Sequence, residues 1–385
     1  MAAVLDTVVI GAGQAGLSAS FHLRRRGIDH VVLDADAAPG GAWQHRWDSL
    51  TMTDVHGVAE LPGAEPLPLS RERANAAVPA YFAAYERAHD LPVLRPVRVE
   101  RVGSVAPAPD ALLDVRADAG RWLTRTVVNA TGTWTRPFVP HYPGITTFTG
   151  EQWHMHDYPG AEHFRGLRTL VVGGGASAVQ ALGELAPVTD VLWTTRRPPV
   201  WRDDDFTPEA GRAAVALVEE RVRRGLAPGS VVSVTGLVLR PQEEAARRLG
   251  VYDRRLPIFT SVEPHGVRWA ADAEGGERFE PVDALVWATG FRPAVAHLAP
   301  LHLRGPAGGI RLDRHGTTAV ADPRVQLVGY GPSASTIGAN RAGRAAARGV
   351  AAWLAAHPAA GSGADAAGDL TDEATEATEA TEATA

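Results

Sequence analysis

The 385-residue sequence contains no cysteine and no lysine: all 38 residues of its Lys+Arg count are arginine. Without cysteine there is no disulfide framework, iron–sulfur cluster, zinc–thiolate site or redox-active CxxC pair. Without lysine there is no Schiff base, no Walker-type phosphate lysine and no Ser–Lys nucleophile. Long hydrophobic runs are missing as well. No stretch approaches the roughly 18 apolar residues that a membrane-spanning helix needs. The opening, Met1 to Gly13, has no basic flank and reads as a strand running into glycines rather than a leader. These features predict a soluble, cytoplasmic protein with no membrane partner.

The formal charge of −6 is unevenly placed. Residues 361–385 carry seven acids and no base, so taking −7 from −6 leaves +1 for residues 1–360. A nearly neutral body offers no electrostatic footprint for nucleic acid. The repeated Glu-Ala-Thr units of the tail lack aromatics and large apolar side chains, which predicts an unstructured segment.

What is present is one glycine grammar used twice. Thr7–Ile10 is an apolar strand, Gly11-Ala12-Gly13-Gln14-Ala15-Gly16 a turn, Leu17–Arg26 a helical stretch closed by Gly27, and Val31–Leu33 a second strand ending at Asp34. The pattern returns as Thr169–Val172, then Gly173-Gly174-Gly175-Ala176-Ser177-Ala178, a helix to about Leu185, and the strand Val191–Thr194. In a GxGxxG turn the first glycine shapes the turn, the second admits a pyrophosphate and the third lets helix and strand pack closely. The phosphate then meets the free N–H groups of the helix start. Asp34, 23 residues beyond Gly11, can accept from ribose hydroxyls. The second unit has Ala178 in its third position and Arg196-Arg197 where the first has an acid. Arginine pairs with a 2′-phosphate that an acid repels, so the second site is expected to prefer NADPH. Two further apolar strands, Thr126–Asn129 and Ala284–Trp287, run into Ala130-Thr131-Gly132 and Ala288-Thr289-Gly290 and mark crossings between domains. A helix is expected from Thr207-Pro208-Glu209 to Gly225.

The sequence resembles the flavin-containing monooxygenases over nearly all of residues 5–355. Phe148-x-Gly150-xxx-His154-xxx-Tyr158 matches the family signature FxGxxxHxxxY/F, and Gly40-Gly41-Ala42-Trp43 matches its GGxW turn. Ala288-Thr289-Gly290-Phe291 matches an ATGF-type segment, and Gly329-Tyr330-Gly331 with Thr336-Ile337-Gly338-Ala339 looks like the flavin-closing segment of related flavoproteins. The resemblance implies an α/β fold of two Rossmann-like dinucleotide-binding domains, the NADPH domain inserted into a split FAD domain. The expected bounds are 1–149 and 288–358 for the FAD domain, 150–287 for the insert and 359–385 for the acidic tail. It implies FAD and NADPH as cofactors, a flavin C(4a)-(hydro)peroxide, and oxygenation of a nitrogen or sulfur atom of a small organic substrate by dioxygen. The cofactor contacts implied are Gly11, Gly13, Gln14, Ala15, Gly16, Asp34, Gly41, Ala42, Trp43, Trp47, Val99, Ala130, Thr131, Gly132, Gly173, Gly175, Ala176, Ser177, Ala178, Arg196, Arg197, Thr289, Gly290, Tyr330 and Ile337. A helix starting near Ile337–Ala339 would aim its positive end at the flavin.

Two departures qualify the match. Baeyer–Villiger relatives carry Trp where this chain has Tyr158, which favours heteroatom oxygenation over ester formation. Thr53 stands where many relatives have Asn or Asp, and it is the candidate catalytic residue, with Asp54 and His56 close in sequence. One hydroxyl holds an oxygenating species less firmly than an amide, so an NADPH oxidase or a cysteine-free flavin or ferredoxin-type reductase is the alternative. A nucleotide-binding protein without catalysis would predict degraded glycine turns, and these are intact. His154 is read as a brace of the interdomain linker and not as an acid or base.

Overall fold

A computed structural model describes residues 4–53, 55, 58, 60–202, 208–228, 236–237, 239–270 and 276–358. The acidic tail, Asp54, His56 and Thr207 lie outside the described residues.

The first sheet begins with β1 (Leu5–Ile10), followed by α1 (Gln14–Arg24) and β2 (His30–Leu33). The helix starts three residues earlier than the apolar pattern predicts. Gly13 is its N-cap in extended geometry, so the second half of the glycine turn is already helical. After α2 (Ala74–Ala88) come β3 (Val93–Leu94), β4 (Val99–Ser104), β5 (Leu113–Ala117) and β6 (Gly120–Asn129). Among the described residues this sheet has seven strands in the order β3-β2-β1-β6-β5-β4, and a later strand also pairs with β6. Strand β6 is longer than the expected Thr126–Asn129 because it serves two neighbours along one edge. Its first half, from Gly120 to Thr124, pairs antiparallel with β5. On its other side it runs parallel to β1, with Thr126 opposite Thr7 and Asn129 opposite Ile10. The β4–β5 hairpin went unread although Leu113–Ala117 alternates apolar and polar residues, because its partner β4 buries only Val102 and carries no matching pattern.

The second sheet is built from β7 (Glu151–His154), β8 (Thr169–Val172), α3 (Ala176–Leu185) and β9 (Val191–Thr195). After α4 (Pro208–Arg223) and α5 (Glu244–Arg248) it is completed by β10 (Leu256–Pro257). A small antiparallel sheet of β11 (Ser261–Glu263), β12 (Gly266–Trp269) and β13 (Arg278–Pro281) precedes β14 (Ala284–Trp287). The order β10-β9-β8-β14-β7 is parallel throughout. The chain then returns to the first sheet as β15 (Val325–Leu327), which pairs with the end of β6, and closes with α6 (Thr336–Ala356).

Strands β1, β8 and β14 are covered on both faces, which is why they read as continuous apolar runs. Val8, Val9, Leu170, Val171 and Leu285 are fully buried, each worth about 1.5–3 kcal/mol relative to exposure. Helix α6 lies on α1 so closely that a Cβ at Gly343 would fall 2.4 Å from Ser18 Oγ and 2.7 Å from the Ala19 nitrogen. A single methyl group would push the two helices apart. No described helix is long and apolar enough to cross a membrane.

Candidate cofactor and substrate site

The first glycine turn leaves β1 with the Gly11 N–H donating to Leu33 O (2.7 Å) and the Ala130 N–H donating to Ile10 O (2.8 Å). A Cβ on Gly11 would lie 2.7 Å from Ala130 O, and one on Gly16 would lie 1.9 Å from Gly11 O. These two glycines are required by the protein's own packing. Gly13 is different, because a Cβ there would meet no described atom within 4 Å. No side chain caps α1, and its first turn holds no acid, so its N–H groups are left for an anion. Gly41 crosses above, where a Cβ would lie 2.9 Å from Gly13 Cα, so the Gly41–Trp43 turn roofs this space with Ala42 and Trp43 half-buried beside it.

Asp34 is buried at the end of β2. Burial pushes its carboxyl above the ordinary range, while Arg95 pulls the other way, its Nε donating to Asp34 Oδ2 at 2.7 Å. The same guanidinium donates from both Nη atoms to Glu86 at 2.7 Å each. Arg95 escaped sequence reading, since 61 residues separate it from Asp34 with no spacing rule to join them. Val97, not Val99, meets the Asp34 backbone: its N–H donates to Asp34 O at 2.7 Å, whereas Val99 opens β4 opposite Ala117.

Gln14 and Ala15 start α1, and the Gln14 amide reaches back to Thr336 O (3.0 Å), which ties the turn to the start of α6. There the Ser335 hydroxyl accepts from the Gly338 N–H at 3.1 Å, so this helix end carries its own cap. The side chain of Ile337 lies outside the described ones. Tyr330 faces away from the cradle: it is buried, and its hydroxyl accepts from the Ile310 N–H at 2.9 Å. Its neighbour Gly329 is the residue on the cradle wall, 3.6 Å from Gly132 Cα and 3.9 Å from Ala15 Cβ measured from a Cβ built there.

Trp47 is buried and donates its indole N–H to Glu184 Oε1 (2.9 Å) on α3. Ser49 donates to Glu184 Oε2 at 2.9 Å, and Tyr158 packs edge-on against Trp47 with its hydroxyl 3.5 Å from the same oxygen. Burial, with Glu184 adding to it, drives the Tyr158 phenol far above its ordinary value, so it stays protonated and donates. Glu184 therefore clasps the first unit to the second from a position that no motif marks. Thr53 is exposed, its hydroxyl 2.7 Å from that of Thr51 and its N–H donating to Ser70 O.

The second turn repeats the first with a looser frame. A Cβ on Gly173 would lie 2.2 Å from Ala288 O, whereas one on Gly175 would meet no described atom within 4 Å. Gly175 caps α3 without a side-chain bond, Ala176 and Ser177 are half-buried in its first turn, and Ala178 is fully buried where a glycine would otherwise pack. Arg196 and Arg197 are exposed just past β9. Arg255, also missed, lies beside them with Nη1 3.2 Å from Thr195 Oγ1.

The small-residue turns meet at the junction. Thr131 donates to Ala294 O (2.6 Å), the Ala294 N–H donates to Gly132 O (2.9 Å), and the Thr289 hydroxyl donates to Phe138 O. A Cβ on Gly132 or Gly290 would face no described atom within 4 Å. His154 Nδ1 accepts from the His156 N–H at 3.0 Å, so its proton is on Nε2, which donates to Gly290 O at 3.0 Å. Burial lowers its pKa, keeping the ring neutral in this bracing role. Among the described residues no group of three or more His, Asp or Glu could hold a metal ion.

Residues 8–232 match the family model of the pyridine nucleotide-disulphide oxidoreductases. A solved flavin-containing monooxygenase from Stenotrophomonas maltophilia is 40% identical, aligned over 92% of this chain and 100% of that one, with a TM-score of 0.76. A Baeyer-Villiger monooxygenase of Streptomyces coelicolor is 33% identical over 57% of this chain and 42% of its own length. Senecionine N-oxygenase of Tyria jacobaeae is 28% identical over 48% and 45%. The chain spans about half the length of the first curated relatives it matches.

Proposed function

This chain belongs to the flavin-containing monooxygenase family, and we propose that it is an NADPH-dependent FAD monooxygenase acting on nitrogen or sulfur of a small organic substrate. The observation that carries the reading is the pair of open glycines. Gly13 and Gly175 face space that no described atom fills, each at an uncapped helix start, while Gly11, Gly16 and Gly173 are closed by packing. That is the shape a pyrophosphate needs twice over. FAD and NADPH fit these two cradles, and when bound they supply electrons and activation of dioxygen that no side chain here can supply.

The chain's own part is placement. The α1 amides and the Gly41–Trp43 roof would hold the FAD pyrophosphate, and Asp34 its adenosine ribose. The α3 amides would take the second pyrophosphate, with Arg196, Arg197 and the newly seen Arg255 around the 2′-phosphate. We assign residues 1–149 and 288–358 to the FAD domain and 150–287 to the insert, in line with the two separate sheets. With no cysteine, the dithiol branch of the family is closed to this chain, which leaves oxygen or another acceptor as the electron sink.

Tyr158 supports heteroatom oxygenation through its place in the signature. The exposed Thr53 hydroxyl, shared with Thr51, favours the second reading of an NADPH oxidase. The test is a coupling measurement with the FAD-loaded protein and a panel of amines and sulfides. Oxygenated product formed in step with NADPH oxidation supports the monooxygenase. Stoichiometric hydrogen peroxide with every substrate, and no product, would establish the oxidase instead.

A further inference from the structure

Arg46 follows the Gly41–Trp43 turn, its N–H donating to Trp43 O and its carbonyl accepting from the Asn75 amide at 2.9 Å. Its guanidinium lies 4.4 Å from the centre of the Trp134 ring and 5.6 Å from that of Trp43. Arg46 Nε is buried without a hydrogen-bond partner, and no ion pair to Arg46 is found among the described residues. Burial alone brings its pKa down to about 10, with no nearby acid acting on it, so it remains a cation at neutral pH.

The acids that flank it in the chain and the fold are already engaged. Asp48 bonds Arg73 and Asn75, Asp36 bonds Gln44 and His45, Asp157 accepts from the His154 N–H, and Glu184 takes Trp47 and Ser49. Arg46 is half-buried, with its Nε shielded from water and its charge left without an acidic partner among the described residues, so an anion reaching the guanidinium would meet a partly desolvated, unclaimed cation. Its surroundings point to what would relieve it. Trp134 stacks on Phe291 (5.0 Å, 26°) and on His156 (5.0 Å, 30°), so the ring cluster joins the turn at Gly132 to the turn at Gly290. Both glycines face open space. On the reading above the α1 amides take the phosphates of the first dinucleotide, and that reading gives Arg46 no part in holding either cofactor.

We propose that Arg46 is the seat for a substrate carboxylate, and that this site takes a small planar carboxylic acid lying against the Trp134–Phe291 cluster. This rests on the monooxygenase reading above and names its substrate class. An arginine suits the task because its planar fork can hold a carboxylate through two bonds while stacking on an indole.

The experiment uses the FAD-loaded protein without NADPH, titrated with benzoate and with benzamide by calorimetry and by flavin absorbance. Benzoate is expected to bind at least ten-fold more tightly than benzamide and to weaken with added salt. In Arg46→Met the two ligands should bind alike, and Arg46→Lys should recover part of the preference. Equal binding of both ligands to the unaltered protein overturns the proposal without any variant. So does an Arg46→Met protein that keeps the benzoate preference, or one that folds but purifies without FAD, which would give the charge to the cofactor. Because binding is read without turnover, a benzoate preference here together with stoichiometric hydrogen peroxide across the amine and sulfide panel of the coupling measurement would sink the monooxygenase reading and leave the seat standing.

Discussion

The two nucleotide units share a backbone and differ in how their strand ends are held. In the first, Asp34 is buried and fixed by Arg95, itself clamped by Glu86. In the second, Arg196 and Arg197 stand exposed beyond β9, with Arg255 alongside. On the reading proposed above, the same turn would serve one cofactor held firmly and another that exchanges. A buried, hydrogen-bonded acid is rigid and excludes a 2′-phosphate, whereas exposed arginines attract that phosphate through water and release it readily.

The sharpest way to break this contrast is at Arg95. Arg95→Met leaves Asp34 and Glu86 buried without their shared cation, which should remove about 3–5 kcal/mol of stability, measured by urea unfolding. The matching change in the second unit, Arg196→Met, should change the unfolding free energy by no more than about 0.5 kcal/mol, as for surface substitutions generally.

Gly13→Val and Gly175→Val come next. The Cβ of each enters space with no described atom within 4 Å, so both proteins are expected to fold, the first losing FAD absorbance and the second its reduction by NADPH. Gly16→Val, with a Cβ 1.9 Å from Gly11 O, should fail to fold at all. A Gly13→Val protein that retains flavin would break the pyrophosphate assignment.

Removing both Arg196 and Arg197 should raise the KM for NADPH by about 10–100-fold while leaving that for NADH nearly unchanged, at roughly 1.4 kcal/mol per factor of ten. If NADPH is still preferred, the discrimination belongs to Arg255.

The smallest effect is a pH dependence confined to the first unit. His297 Nε2 donates to Asn129 Oδ1 at 2.7 Å, and burial lowers its pKa from 6.5 to about 4. The unfolded chain then binds the proton more tightly. The stabilisation is fully present above pH 6.5 and is lost as pH falls towards 4. His297→Asn should flatten this slope by on the order of 1–2 kcal/mol in unfolding titrations across that window.

The turns and their strands were legible because glycine placement is a backbone demand written in consecutive residues. Asp34 and Ala178 were legible for the same reason, as fixed offsets from those glycines. Arg95, Glu184, Arg255 and Arg46 were not, since each acts across tens or hundreds of residues and only packing decides the partner. Tyr330 shows the converse. Its motif position is at the closing segment, yet side-chain direction sends the ring into the core and leaves Gly329 on the wall. The small sheet of β11–β13 was hidden because its strands of three or four residues carry little periodicity.

The α1–α6 contact sets a timetable. Gln14 and Thr336 are 322 residues apart in the chain, and Gly343 must be seated before Ser18 and Ala19 are covered. At about 5–20 residues per second of synthesis, the glycine turn leaves the ribosome tens of seconds before its last wall exists. A chain stopped short of α6 is therefore expected to carry every glycine of the first motif and still purify without flavin colour, because the helix that packs on α1 would be missing.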